Sequence, residues 1–189
     1  MEISCDHDHD HHDHHHHGEE AEDALDPHIW LNVENACRMA ENIRDEFRRA
    51  DPAHAEVYRK NCAALLEELG ECEKRLKTEM APYRGRRFYV YHPAFGYFAN
   101  MFGLRQEAVE LDGREVTPAH LAELTRRAKS DRVGVIFVQP QFNPSAMRAL
   151  QRQLRVEVKT ADPLRRDVLK NIQELVSELR MAFAEYDSK

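Results

Sequence analysis

The sequence predicts an α/β fold: a doubly wound, four-stranded parallel sheet with flanking helices, preceded by a long linking helix and a disordered His-rich N-terminus. Three observations carry that expectation. Beyond residue 83, short segments rich in β-branched and aromatic residues alternate with stretches of helical period, as βαβ units do. An uninterrupted helical pattern runs from Pro52 to Met80, about 28 residues or 40 Å at 1.5 Å per residue, which suits a strut better than a small bundle. Residues 1–25 are too polar and too rich in His and Asp to bury a core. The chain therefore divides into 1–25, a His- and Asp-rich segment; 26–82, two helices and the turn before them; and 83–189, the α/β lobe.

In chain order, Val33, Ala36, Cys37, Ala40, Ile43 and Phe47 recur at three- and four-residue intervals, the mark of an amphipathic helix. "ADP" at 50–52 punctuates it, with Asp51 expected as N-cap and Pro52 as first residue of the long helix. "RRFYVYH" (86–92) then reads as a buried strand. A helix in "PAFGYFANMFG", a strand around "RQEAVEL" and a helix in "TPAHLAELTRRAKSD", capped by Thr117 and Pro118, follow. The strand "VGVIFVQ" leads to a helix capped by Asn143 and Pro144, then to the strand "RVEVKTA" and a last helix from about Arg165 to Glu185. In such a sheet, functional residues gather at the carboxyl ends of the strands.

Composition excludes several classes of function. With 27 Lys and Arg against 34 Asp and Glu, the net charge is −7 and the cations form no stripe, so nucleic-acid binding is not expected. The apolar run "VGVIFV" is far short of the roughly 20 residues that span a bilayer, so the chain is not membrane-spanning. Met1 leads into "EISCDHD" with no signal-peptide pattern, which taken literally places the chain in the cytoplasm. Cys5, Cys37, Cys62 and Cys72 show no zinc-finger spacing, and the three in helical stretches read as small buried hydrophobes, with a disulfide left open.

Histidines carry the candidate chemistry. Eight of the twelve, His7, His9, His11, His12, His14, His15, His16 and His17, fall in the opening tract. His28 lies in "DPHIW", where Asp26 and Pro27 favour a turn and Trp30 packs beside the ring. His92 and Asp162 each close a strand before a proline. Two His and one Asp supply most of a zinc first shell, although a strand-end His is more often merely hydrogen-bonded and an Asp before Pro is more often a turn. His54, His120 and Glu115 receive no role, and Phe95, Tyr97 and Phe98 read as core packing.

"DPHIWLNVENA", "YHPAFGYFANMFG", "LDGREVTPAHLAEL", "VIFVQPQFNPSAMRAL" and "TADPL" resemble, in the same order, the motifs of the solute-binding proteins that feed zinc and manganese ABC importers. The resemblance covers His28 to the end. It implies two α/β lobes joined by a rigid helix, a metal held between them and delivery to an ABC permease outside the cytoplasm. Of the family's four ligands, one comes from the first lobe; His28, His92 and Asp162 match the other three places. A His at the third place, here His92, is similar to the zinc-type members, where a Glu marks the manganese type, so Zn2+ is preferred over Mn2+.

The amino end departs from the family pattern. The His-rich tract, which zinc-type members carry as a loop before D-P-H-x-W, stands almost first, and the first lobe with its ligand and signal is expected to be missing, split off or supplied by a separate polypeptide. A site open on that face should bind metal weakly alone. The tract reads as a metal-collecting device in preference to an engineered tag or a solubilising linker. Two other classes compete: a small zinc metallo-enzyme using the open coordination position, against which stands the lack of an H-E-x-x-H pattern, and a metal buffer whose active part is the tract alone.

Overall fold

The computed structural model describes residues 25–110, 117–131, 133, 135–142, 151–152 and 157–188. The His tract, Cys5, Glu115 and the expected cap at Asn143 and Pro144 lie outside the described residues, as does most of the helix that cap would start; Gln151 and Arg152 are helical.

After a short 3-10 turn at Ile29–Leu31, helix α1 spans Val33–Ala50 and starts where Asn32 caps it, its side-chain oxygen accepting from the Asn35 N–H at 3.1 Å. Helix α2 spans Ala55–Met80, 26 residues or about 39 Å, close to the expected strut. The entry to α2 differs from expectation. Pro52 opens a separate 3-10 turn, Pro52–His54, and Asp51 makes no side-chain cap. Its carboxylate instead accepts from the Tyr58 hydroxyl at 2.8 Å and meets the His54 ring at 2.8 Å. Those two hydrogen bonds, Tyr58's foremost, hold the Asp51 carboxyl below the usual carboxylate range.

The sheet comprises β1 (Arg87–Val90), β2 (Arg105–Ala108), β3 (Val135–Val138) and β4 (Glu157–Thr160) in the order β2-β1-β3-β4, every neighbouring pair parallel. Helices α3 (Gly96–Phe102), α4 (Pro118–Ser130) and α5 (Val168–Asp187) flank the sheet, and a third 3-10 turn, Ala81–Tyr83, leads from α2 toward β1. Side chains alternate across the strands with period two. Phe88, Val90, Val135 and Phe137 face one way, into a core shared with Leu69, Leu76 and Met80 of α2, Phe98 of α3 and Ile172 and Leu179 of α5. Tyr89, Ile136 and Val138 face the other way, onto Leu121, Leu124 and Ala128 of α4. Helices thus cover both faces, as a doubly wound sheet requires, and β3 is a continuous apolar run because it is buried on both sides.

The long helix is more than a strut. Its second half belongs to the core, Cys72 among the buried residues, while Cys62 is buried against α1 and Cys37 is half-buried; all three thiols are free. The order β2-β1-β3-β4 means that the chain turns from one side of β1 to the other, so a crevice opens at the carboxyl ends of β1 and β3. That crevice positions the histidines. No helix of the described residues is long and apolar enough to cross a membrane.

Candidate metal centre

His92 follows β1 directly and is anchored from the neighbouring strand. Gln139, the first residue after β3, accepts from the His92 N–H through Oε1 at 3.2 Å and donates from Nε2 to the His92 carbonyl at 2.7 Å. This pair of bonds bridges the two strands at the switch point. From the other side Glu110, just past β2, places Oε1 2.5 Å from the His92 Nδ1. Phe142 lies against the ring, with centroids 5.6 Å apart and planes tilted by 35°.

His28 reaches the same place from the segment before α1. Asp26 accepts from the His28 backbone N–H at 2.9 Å and stands 2.7 Å from its Nδ1 through the same oxygen, a local turn that sets both backbone and ring. The Trp30 ring meets the His28 ring edge-on at 5.6 Å, and its indole N–H donates to the Pro163 carbonyl at 2.7 Å. The DPHIW segment is therefore tied to the loop that holds Asp162. As a result the His28 and His92 rings stand 5.3 Å apart at an interplanar angle of 76°.

The structure brings His28 and His92 together. Asp162 lies in the adjoining loop, where its Oδ1 accepts from Gln141 Nε2 at 2.8 Å and from the Leu164 N–H at 3.0 Å. Among the described residues no group of three or more His, Cys, Asp or Glu converges as a metal-holding set. His54 pairs with Asp51, and His120, whose backbone N–H donates to the capping Thr117 Oγ1, meets the Val109 carbonyl through its ring, so both serve local structure. Phe95 and Phe98 are buried, in line with core packing.

Sequence reasoning missed Glu110 and Gln139, and it treated Asp26 only as a turn former. The strand-end rule that found His92 and Asp162, applied to β3 as well, points to Gln139; applied to β2 it reaches the segment of Glu107 and Glu110 without separating the two.

Gly96, the first residue of α3, makes room for Asp26: a methyl group on its backbone would lie 2.7 Å from Asp26 Oδ2. Gly96→Ala is expected to push that carboxylate away, costing about 1–2 kcal/mol and loosening the His28 ring. Thermal melting reads the first effect, and crystallographic displacement of His28 the second.

Comparison with known proteins shows the family. The model of the family described as zinc-uptake complex component A, periplasmic, matches residues 1–183. The chain belongs to this family. Among relatives of the zinc-uptake component family, the zinc-binding lipoprotein AdcA of Streptococcus pneumoniae (strain R6) is 32% identical over 160 residues, 83% of this chain and 31% of AdcA. The high-affinity zinc uptake system protein ZnuA of Brucella abortus (strain 2308) is 31% identical over 141 residues, 74% of this chain and 42% of ZnuA. A crystal structure of ZnuA superposes with a TM-score of 0.78 at 31% identity, covering 82% of this chain and 61% of that one. The chain spans less than half the length of these two curated relatives. The expected α/β architecture is thus that of the zinc-uptake component family, and the span matched by the family model takes in the His-rich tract.

Proposed function

We propose that this chain binds Zn2+ as cargo, through the imidazoles of His28 and His92, and forms part of a solute-binding protein that delivers the ion to an ABC permease outside the cytoplasmic membrane. The observation that carries this reading is the facing of the two rings at 5.3 Å, each with a carboxylate at its Nδ1. Membership of a family described by zinc uptake supports Zn2+ over Mn2+, and so does the chemistry of the donors, since imidazole suits zinc and carboxylate manganese. The role is binding, not catalysis.

Zinc takes three or four ligands, so two imidazoles are an incomplete shell. Asp162 is the third donor in this proposal, its carboxylate turning from Gln141 toward the ion. A further ligand comes from a first lobe, in the same polypeptide or a separate one. The histidines His7, His9, His11, His12, His14, His15, His16 and His17 act as auxiliary collectors that raise the local zinc concentration.

Isothermal titration with Zn2+ tests the proposal on the full chain, on a chain lacking residues 1–25 and on the double variant His28→Ala, His92→Ala. The full chain is expected to show several sites. The shortened chain should keep one weak site, lost when both substitutions are added to it. If removing the tract abolishes all binding while the double substitution changes nothing, the chain is a His-tract buffer and the cleft is not its metal site.

A further inference from the structure

We infer that Glu110 is the positioning residue of the metal site: it holds His92 in the tautomer that carries its proton on Nδ1 and so presents Nε2 to the ion. The inference rests on the proposed role of His92 as a ligand. A neutral imidazole has one protonated nitrogen and one with a free lone pair, while an ionised carboxylate only accepts hydrogen bonds. With Glu110 Oε1 2.5 Å from Nδ1, the proton belongs on Nδ1 and the lone pair on Nε2.

The fold builds this contact deliberately into the sheet edge. Beyond the last paired residues of β2 and β1, the Val109 N–H donates to the Val90 carbonyl at 2.8 Å and the Glu110 N–H to the Tyr91 carbonyl at 3.1 Å. The parallel ladder therefore continues until Glu110 lies beside His92. Gln139 grips the His92 backbone from the opposite side, so the ring is held between two strands. The Glu110 side chain is only 6% exposed, against 34% for His92, and among the described residues His92 supplies its one contact at ion-pair distance.

A carboxylate taken out of water is costly unless a charge or strong donor compensates it. An imidazole bearing a dication on Nε2 is a stronger Nδ1 donor than a free one, so metal binding supplies that compensation. Carboxylates acting through a ligating His in this way are worth about 10–100-fold in metal affinity. Asp26 stands to His28 as Glu110 does to His92, but it is a third exposed and so is less demanding of compensation.

Long-range proton–nitrogen correlation spectra of the full 15N-labelled chain, at about pH 8 where ordinary imidazoles are neutral, read the tautomer of each His ring directly. His92 is expected to carry its proton on Nδ1 before metal is added, and its Nε2 signal should move as ZnCl2 is titrated in. Because each ring is read separately, binding to the tract does not obscure His92. In Glu110→Gln, whose amide can donate as well as accept, the tautomers should mix and the His92 midpoint should rise about 10–100-fold, with the tract signals titrating as before and a melting curve reporting the fold. A wild-type His92 protonated on Nε2 overturns the inference whether or not the variant folds; so does a folded Glu110→Gln with unchanged tautomer and midpoint. If zinc never shifts wild-type His92, the ligand role of His92 itself fails, an outcome distinct from the other two.

Discussion

Gln139→Leu is expected to lower the stability of the chain by about 2–3 kcal/mol and to weaken zinc binding at His92 about tenfold or more. Gln139 is 1% exposed, and leucine fills nearly the same volume, so little of the loss comes from packing. The loss is polar. The His92 N–H donates to Gln139 Oε1 and would be left without that acceptor, a penalty of about 1–3 kcal/mol. The His92 carbonyl loses the Gln139 amide but keeps the Ala94 N–H at 2.8 Å, which limits the damage on that side. For a chain of this size about 2–4 °C of melting temperature corresponds to each kcal/mol, so a fall of about 5–10 °C is the expected reading by calorimetry. The functional effect follows from the same bonds: without them the backbone that carries the imidazole is no longer locked to β3, and partners that orient a ligand in this way are worth about 10–100-fold in affinity. A fall under about 1 °C with unchanged zinc binding would mean that the β1–β3 ladder alone places His92.

How much of this was legible in the sequence depends on whether the deciding interaction is local. The strands were, because "FYV" and "VIFV" are short, β-branched or aromatic and bounded by turn formers, and burial on both faces leaves them no polar alternation. His28 was legible as a fixed residue because Asp26, two positions away, makes the turn that holds it. Asp51 was misjudged for the complementary reason: the cap rule expects a helix to start at Pro52, whereas a 3-10 turn intervenes and the carboxylate finds Tyr58, in the first turn of α2. Glu110 could not be told from Glu107 by pattern. Both sit in "QEAVEL", yet Glu107 pairs with Arg87 and Arg127 at the sheet surface, while Glu110, past the end of β2, turns to His92. That difference is set by the strand order β2-β1-β3-β4, which no local signal encodes. The same order decides that His28 and His92 meet; their spacing in sequence implies nothing about it.

Trp30→Ala is expected to cost about 3 kcal/mol and to uncouple the two halves of the site. The indole is half-buried against the main core cluster, so the packing loss falls toward the lower end of the range for aromatic-to-alanine changes. Its N–H also donates to the Pro163 carbonyl at 2.7 Å, across 133 residues of sequence, and that one bond joins the segment of His28 to the loop of Asp162. Trp30→Phe separates the two contributions. Phenylalanine keeps most of the apolar contact and loses the hydrogen bond, so it should cost about 1 kcal/mol in stability. If the bond to Pro163 is what holds the Asp162 loop within reach of the ion, Trp30→Phe should still weaken zinc binding by most of the amount seen for Trp30→Ala. If packing alone matters, zinc binding by Trp30→Phe should match wild type, and Asp162 then owes its place to Gln141 and Asn171, the latter donating to the Asp162 carbonyl at 2.9 Å. Trp30 is the single tryptophan of the chain, and its ring lies 5.6 Å from that of His28. Zinc arriving at His28 should therefore change the tryptophan emission of the wild-type chain, and that change should vanish in His28→Ala while it survives removal of residues 1–25.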